Sequence, residues 1–440
     1  MNCKTKVGVV SLGCDKNRVD TENMLYILAN SGYEITNDVS DADVIVINTC
    51  AFIESSKKEA ISTILEFTSI KNERNIKIIV TGCLSVRYKD ELFVGFPEVD
   101  AFLGFQDYAR LPEVLDRVFN GERVILIEGK DMPTSKRILS TPFHTAYLKI
   151  ADGCDNRCTY CAIPYIRGKY RSREIDGLVD ETRELISEYG IKEVNLVAQD
   201  ITRYGIDIYN EYSLLKLLDK LSALDINWIR LLYCYPELIN DNLIKYVSQN
   251  EKVCKYLDIP LQHISDRILK MMNRRIDCDS VRKLIDKIRN IDDRIALRSS
   301  FIVGFPTETE TDFYELCDFI SNYKLDYAGF FAYSKEEGTP AAKIKGQLSQ
   351  KIKTARQKEI RSIQSDVIFE NNNKYIGKTL KVLYEGIDYN KKMFYGRPEF
   401  CAPEIDSKVL FKSNNLVEIG NFYDVKITKR DAYDIIGETK

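Results

Sequence analysis

Three apolar runs near the start of the chain each close on a cysteine: VVSLGC ends at Cys14, VIVINTC at Cys50 and IIVTGC at Cys83. The spacings are 36 and 33 residues, each about the length of one strand–helix–strand unit. Segments 19–33 and 55–67 between the runs carry helical spacing, and 99–105 is a fourth apolar run. Strands alternating with helices predict an α/β domain built on a parallel sheet. Parallel strands point one way, so residues at three successive strand ends gather at one edge, where such sheets bind ligands. The periodicity therefore predicts three converging thiols; the plainer alternative is three small buried hydrophobes that end strands.

A second alternating series follows. Strand-like runs at 145–154, 193–200, 228–236, 256–262, 295–306 and 326–334 enclose helical stretches at 174–189, 212–224, 279–290 and 310–323. Six such repeats predict a barrel or part-barrel, a (β/α)6 arrangement with its site at the C-terminal strand ends. Residues 121–145, with a short strand, Pro133 and Pro142, read as a connection, and 350–371 as a charged, helix-patterned bridge. From 373 the chain breaks into short β-rich segments split by Gly, Asn and Asp, which predicts a small antiparallel β-barrel. The expected domains are 1–125, 140–370 and 373–440.

The formal net charge is −3, which argues against holding nucleic acid by bulk positive charge. The first residues lack a signal-peptide pattern, and no apolar run approaches the ~18 residues that span a bilayer. A soluble cytoplasmic protein without a membrane partner is expected. In a reducing compartment, twelve cysteines point to metal binding or catalysis more than to disulfides. With only two histidines, His144 and His263, a metal site here must be mainly sulfur, which selects zinc or an iron–sulfur cluster.

The densest cysteine stretch is DGCDNRCTYCAIP, residues 152–164, with Cys154, Cys158 and Cys161 in the form C-x3-C-x2-C after a predicted strand. Three thiolates on one tight loop can hold three irons of a cubane, leaving the fourth without a protein ligand. An open metal position is where chemistry happens. The alternative, a zinc knuckle, usually needs a second closely spaced pair, which this chain lacks. Cys3, Cys234, Cys254, Cys278, Cys317 and Cys401 show no ligand spacing and read as core or surface residues. The two isolated histidines read as structural.

C-x3-C-x2-C with Tyr160 before its last cysteine resembles the signature of the radical S-adenosylmethionine enzymes. There the amino and carboxylate groups of S-adenosylmethionine take the open iron. Together with the N-terminal trio and the β-rich tail, the whole chain resembles the methylthiotransferases, with a tail similar to their OB-like TRAM domain. The resemblance implies two 4Fe–4S clusters, one on Cys154, Cys158 and Cys161 and an auxiliary one on Cys14, Cys50 and Cys83, whose open iron is a place for exogenous sulfur. It also implies an electron donor and a sulfur donor. Tyr160 would lie over the adenine, with Gln199 and Arg298 on strands lining the barrel. Arg298 would grip the methionyl carboxylate or, alternatively, sit in a structural hydrogen-bond network. Gly304 and Pro306 would shape the strand end. Arg167, Arg171 and Arg173 would serve cofactor, substrate or surface.

Three stretches resemble the branch that modifies an aspartate of a small-subunit ribosomal protein, the S-twelve protein: SLGCDKNRVDTE (11–22), NTCAFIESSKKEAI (48–61) and CAPEID (401–406). The tRNA-adenosine branch more often has Gln-Met-Asn after the first cysteine. Cys401 departs from the polar residue expected there. The tail from Asn373 carries 12 Lys plus Arg against 10 Asp plus Glu, less basic than an RNA-gripping module. Glu399, Glu404 and Asp406 could meet a basic ribosomal protein or form an ordinary solvated face. The resemblance thus implies an enzyme that methylthiolates the aspartate β-carbon with two S-adenosylmethionine molecules, one for hydrogen abstraction and one for methyl transfer. Its partner would be that protein or the ribosomal subunit. Methylthiolation of tRNA adenosine and a non-catalytic metal-binding scaffold are the competing readings.

Overall fold

The computed structural model describes residues 5–129 and 136–439; Cys3 and Pro133 lie outside them. The first sheet has six parallel strands: β1 (Lys6–Ser11), β2 (Glu34–Thr36), β3 (Val44–Thr49), β4 (Lys77–Gly82), β5 (Ala101–Leu103) and β6 (Val124–Leu126), in the order β2-β1-β3-β4-β5-β6. Every residue of β3 is buried, because helices cover both faces of a parallel sheet. The short strand expected in the 121–145 connection is β6, which pairs with β5 and closes that edge. Helices α1 (Asp15–Asn30) and α2 (Glu54–Glu73) follow β1 and β3, and the short α3 (Cys83–Arg87) follows β4 directly.

The second sheet is also wholly parallel. It comprises β7 (Thr145–Lys149), β10 (Glu193–Val197), β11 (Trp228–Leu231), β12 (Val253–Asp258), β13 (Ala296–Val303) and β14 (Tyr327–Ala332). Its order is β14-β13-β12-β11-β10-β7, with no pairing of β7 to β14, so it is a part-barrel. A two-stranded ribbon, β8 (Ala151–Asp152) with β9 (Arg171–Ser172), brackets the cysteine loop. The 22-residue helix Gln350–Asn371 then leads to the tail. There β15 (Thr379–Asp388), β16 (Met393–Pro398), β17 (Val409–Lys412), β18 (Phe422–Asp431) and β19 (Asp434–Thr439) close a barrel in the order β15-β16-β17-β19-β18. It is antiparallel except where β17 pairs parallel to β19, a closure that segment composition does not reveal. No helix among the described residues is long and apolar enough to cross a membrane.

The tail barrel is fastened to the part-barrel through a buried charge triad. The Glu193 carboxylate accepts from Arg397 Nη2 at 2.5 Å and from Arg230 Nε at 2.8 Å. Burial alone would raise this carboxyl; Arg397 and then Arg230 hold it down at about 2. The stabilisation is therefore present above the ordinary glutamate value and is lost as pH falls from there towards 2. Glu193→Ala leaves two buried guanidiniums without their anion, and about 3–5 kcal/mol of destabilisation is expected. A lowered urea midpoint, with the tail barrel releasing first, is the measurement that checks it.

Candidate functional site

The first trio sits where its periodicity predicts. Cys14 caps the N-terminus of α1, Cys50 follows β3 and Cys83 opens α3. Strands β1, β3 and β4 are neighbours in the sheet, so the three residues share one edge. Two glycines make the approach close. A Cβ on Gly13 would stand 2.6 Å from Cys50 Cβ, and one on Gly82 would stand 2.3 Å from the Thr49 carbonyl oxygen. Both have positive φ, 98° and 96°, a region that side chains resist. Asn17 ties the edge together: its Nδ2 donates to the carbonyls of Leu12 (3.1 Å) and Thr49 (3.0 Å), and its Oδ1 lies 3.9 Å from Cys83 Sγ. Cys14 is exposed, whereas Cys50 and Cys83 are buried. Burial pushes the Cys83 thiol up to about 12, with Arg167 opposing the rise, and raises that of Cys50.

The second trio lies on the loop between β8 and β9, at the C-terminal mouth of the part-barrel. The loop is pinned by backbone bonds from Cys154 N to Gly168 O and from Thr159 N to Met272 O, and by Asn156 Nδ2 donating to Asp200. Cys158 Sγ is 2.8 Å from the Tyr235 hydroxyl and 4.0 Å from Arg274 Nη1. The Arg274 guanidinium stacks 3.9 Å over the Tyr235 ring. Burial pushes the Cys154 thiol up to about 12 and raises that of Cys161. Thiols held protonated in this way become good ligands only when a metal displaces the proton.

A buried charge network spans the space between the trios. Arg167 Nη1 donates to both Asp152 oxygens (3.0 and 2.8 Å), while Nη2 donates to Asn17 Oδ1 (2.6 Å) and Asp20 Oδ2 (3.2 Å). Lys149 bonds Asp20 and lies 3.5 Å from Asp152. Asn17 stands three residues after Cys14 and Asp152 two before Cys154, so one guanidinium links the flanks of both cysteine sets. The polar half of α1, including Lys16, Asn17, Asp20 and Glu22, is buried by this junction. Glu22 accepts from Arg137 (3.0 Å) and from Ser140 N and Oγ (both 2.9 Å).

The other expected residues divide. Gln199 lies two residues beyond β10 with its Nε2 3.3 Å from Asp152 Oδ1, and its buried Oε1 has no partner. Tyr160 packs against the cluster around Phe305 and Tyr333. Arg298 meets carboxylates instead of an open site: Nη1 donates to Asp258 (2.9 Å) and Nε faces Asp406 (3.4 Å), the structural alternative that its sequence context allowed. Gly304 N donates to Glu308 Oε2, and the glycine backs onto Lys353. Arg173 binds Glu181, and Arg167 is the junction described above. His144 and His263 are fully buried, as are Cys234, Cys254 and Cys401. Of the three tail acids, only Asp406 is buried, where it binds Tyr256 and Ala402 N; Glu404 is exposed and pairs with Arg18, and half-buried Glu399 accepts from Lys255 N. Asn17, Asp20, Asp152, Tyr235 and Arg274 carry no motif of their own; the one hint is the DGC and CYP neighbours of cysteines at strand ends.

Among the described residues no three His, Cys, Asp or Glu side chains converge tightly enough to grip one metal ion. A cubane does not require it, since each thiolate takes a different iron. All the described cysteines are free. Two sulfur-only donor sets and an unpartnered acceptor on Gln199, beside the aspartate that precedes Cys154, fit clusters with a donor-bearing cofactor.

Three family models match separate stretches of the chain. The family described as "Uncharacterized protein family UPF0004" matches residues 6–104, the radical SAM superfamily 148–320 and the TRAM domain 376–439. A ribosomal protein uS12 methylthiotransferase RimO of Clostridium acetobutylicum is 48% identical over 439 residues, covering 99% of this chain and 98% of the relative. Its namesake in Caldicellulosiruptor saccharolyticus is 47% identical over 440 residues, covering 98% and 99%. Among solved structures, the radical S-adenosylmethionine methyltransferase TsrM from Kitasatospora setae, with cobalamin and a 4Fe–4S cluster bound, aligns at TM-score 0.55 and 15% identity. It covers 77% of this chain and 74% of that one, a likeness of fold alone.

Proposed function

The chain belongs to the radical S-adenosylmethionine methylthiotransferases named for ribosomal protein uS12, and on that premise we propose that it adds a methylthio group to the β-carbon of an aspartate of uS12, in the cytoplasm. Two 4Fe–4S clusters would serve it, one on Cys154, Cys158 and Cys161 and one on Cys14, Cys50 and Cys83. When bound, the clusters and S-adenosylmethionine supply the one-electron chemistry, the sulfur and the methyl group. The chain supplies position. The Tyr235 hydroxyl lies 2.8 Å from Cys158 Sγ, the kind of outer contact that tunes a metal site. Gln199 Oε1 offers an acceptor to a donor group of the cofactor. Arg167, held to carboxylates on both sides, keeps the two cysteine sets in register; reacting groups held near contact gain most from such rigidity.

The observation that carries this reading is the buried Arg167 junction between two three-thiol sets. An enzyme needing one iron–sulfur site has no use for a second welded to it. The test is an anaerobic, reduced assay of the reconstituted chain with a uS12 loop peptide and with tRNA, read by mass spectrometry. A gain of one sulfur and one CH2 on the peptide aspartate is expected. The same gain on adenosine in tRNA digests, with the peptide untouched, would overturn the reading.

A further inference from the structure

Lys16 is a buried cation in no salt bridge among the described residues, with Asp15 and Cys14 acting on it only through space. It lies on the first turn of α1, two residues after Cys14, and is 6% exposed. Its ammonium stands 3.5 Å from the centre of the Tyr233 ring, and among the described residues no carboxylate is in ion-pair contact with it. The cations around it are all committed. Arg167 has Asp152 and Asp20, Lys149 has the same two acids, and Arg18 grips Glu404 at 2.9 Å. A desolvated ammonium held directly by the Tyr233 side chain alone, with Asp15 acting at longer range, is costly unless a ligand completes it.

Tyr233 marks the same place from the other side. It follows β11 at the mouth of the part-barrel and holds a left-handed backbone, φ 63°, with its N–H donating to Asp258 Oδ2 at 3.1 Å. Strained residues of this kind persist where the surroundings enforce them, and they gather at active sites. The first cysteine set, the mouth of the part-barrel and an unpaired positive charge thus meet at one point.

Resting on the reading that the substrate is an aspartate side chain, we infer that Lys16 binds the carboxylate of that aspartate and so selects it. The attacked β-carbon is bonded to the carboxylate carbon, roughly 1.5 Å away. A carboxylate anchor must therefore stand beside the place where sulfur is delivered, and Lys16 is the uncommitted cation next to Cys14. A ring beneath the ammonium leaves its other face for an anion and holds the long side chain in one pose. An uncharged purine would gain nothing from it.

The test is a coupling experiment on the holoenzyme. Parent, Lys16→Met and Lys16→Gln are reconstituted anaerobically, checked for equal iron content and titrated without reductant. The probes are the uS12 loop peptide and the same peptide with asparagine at the target. The parent is expected to prefer the aspartate peptide by about tenfold or more, the worth of a charge-assisted contact. Both variants should bind the two peptides within about twofold of each other, and under reduction should lose methylthiolated product while still releasing 5′-deoxyadenosine. A Lys16→Met, or a Lys16→Gln if the first loses iron, that keeps the parent's preference for aspartate overturns the inference. So does a variant that keeps it while the reduction potential of a cluster moves, which assigns the ammonium to the cluster. A parent that modifies tRNA and ignores both peptides fails at the functional reading itself. A parent and a Lys16→Met that modify the aspartate peptide equally fail only here.

Discussion

Cys83→Ala is expected to abolish methylthiolation while leaving cleavage of S-adenosylmethionine in place. Cys83 opens α3 immediately after Gly82, whose positive φ and lack of space for a side chain fix the thiol against Asn17 and the other two strand ends. No other cysteine of the described residues follows the end of β4, so nothing substitutes for the lost ligand. Even outer partners of a metal site are worth roughly 10–100-fold, and an inner ligand should cost at least the upper figure in methylthiolated product. Release of 5′-deoxyadenosine, governed by the other trio on a separate loop, should stay within about threefold, and iron should fall from about eight to about four atoms per chain. Retention of both full iron and full product in Cys83→Ala would remove the first trio from the mechanism.

The complementary change, Cys158→Ala, should silence both reactions. Cys158 sits at the centre of its loop, beside the Tyr235 hydroxyl and the Arg274 guanidinium, and on the proposed mechanism its removal would strip a ligand from the cluster that initiates turnover. Deoxyadenosine release and methylthiolation should fall together by at least about 100-fold. The cluster proposed for the first trio should keep its four irons, because Cys14, Cys50 and Cys83 follow β1, β3 and β4 and do not belong to the loop. The pair of variants separates the two halves of the chemistry: one stops sulfur insertion alone, the other stops everything. Normal deoxyadenosine release by Cys158→Ala would show that the C-x3-C-x2-C loop is not where the cofactor is cleaved.

The two cysteine sets were legible in the sequence for different reasons. Cys154, Cys158 and Cys161 are local, and their spacing is a motif. Cys14, Cys50 and Cys83 are dispersed, and only the physics of parallel strands, which all end on the same side, brings them to one edge. What spacing could not reveal is what lies between them. Arg167 reaches Asn17 across 150 positions, and Lys149 reaches Asp20 across 129; an ion pair between domains leaves no periodic trace. Read by pattern, the polar half of α1 resembles a solvated face, yet Asn17, Asp20 and Glu22 are buried there by a second domain. For the same reason sequence could not tell that Asp406 is buried against Tyr256 and Arg298, while Glu404 stays exposed beside Arg18. Arg298 lies on β13, and which of its two sequence readings holds depends on tertiary neighbours, here Asp258 and Asp406, that no local pattern reveals.

Arg167 also bears on how the molecule wears out. Its fork closes on acids from both halves of the chain, so neither half can be pulled away without stranding charge in an apolar setting. With Lys149 and Arg137, which also pair with acids of α1, Arg167 holds the spacing of the two cysteine sets, and on the proposed mechanism a slight loosening there would end turnover while both sheets remained folded. Heat or chemical damage should therefore appear first as lost coupling, with cofactor consumed and substrate unmodified, well before either core melts.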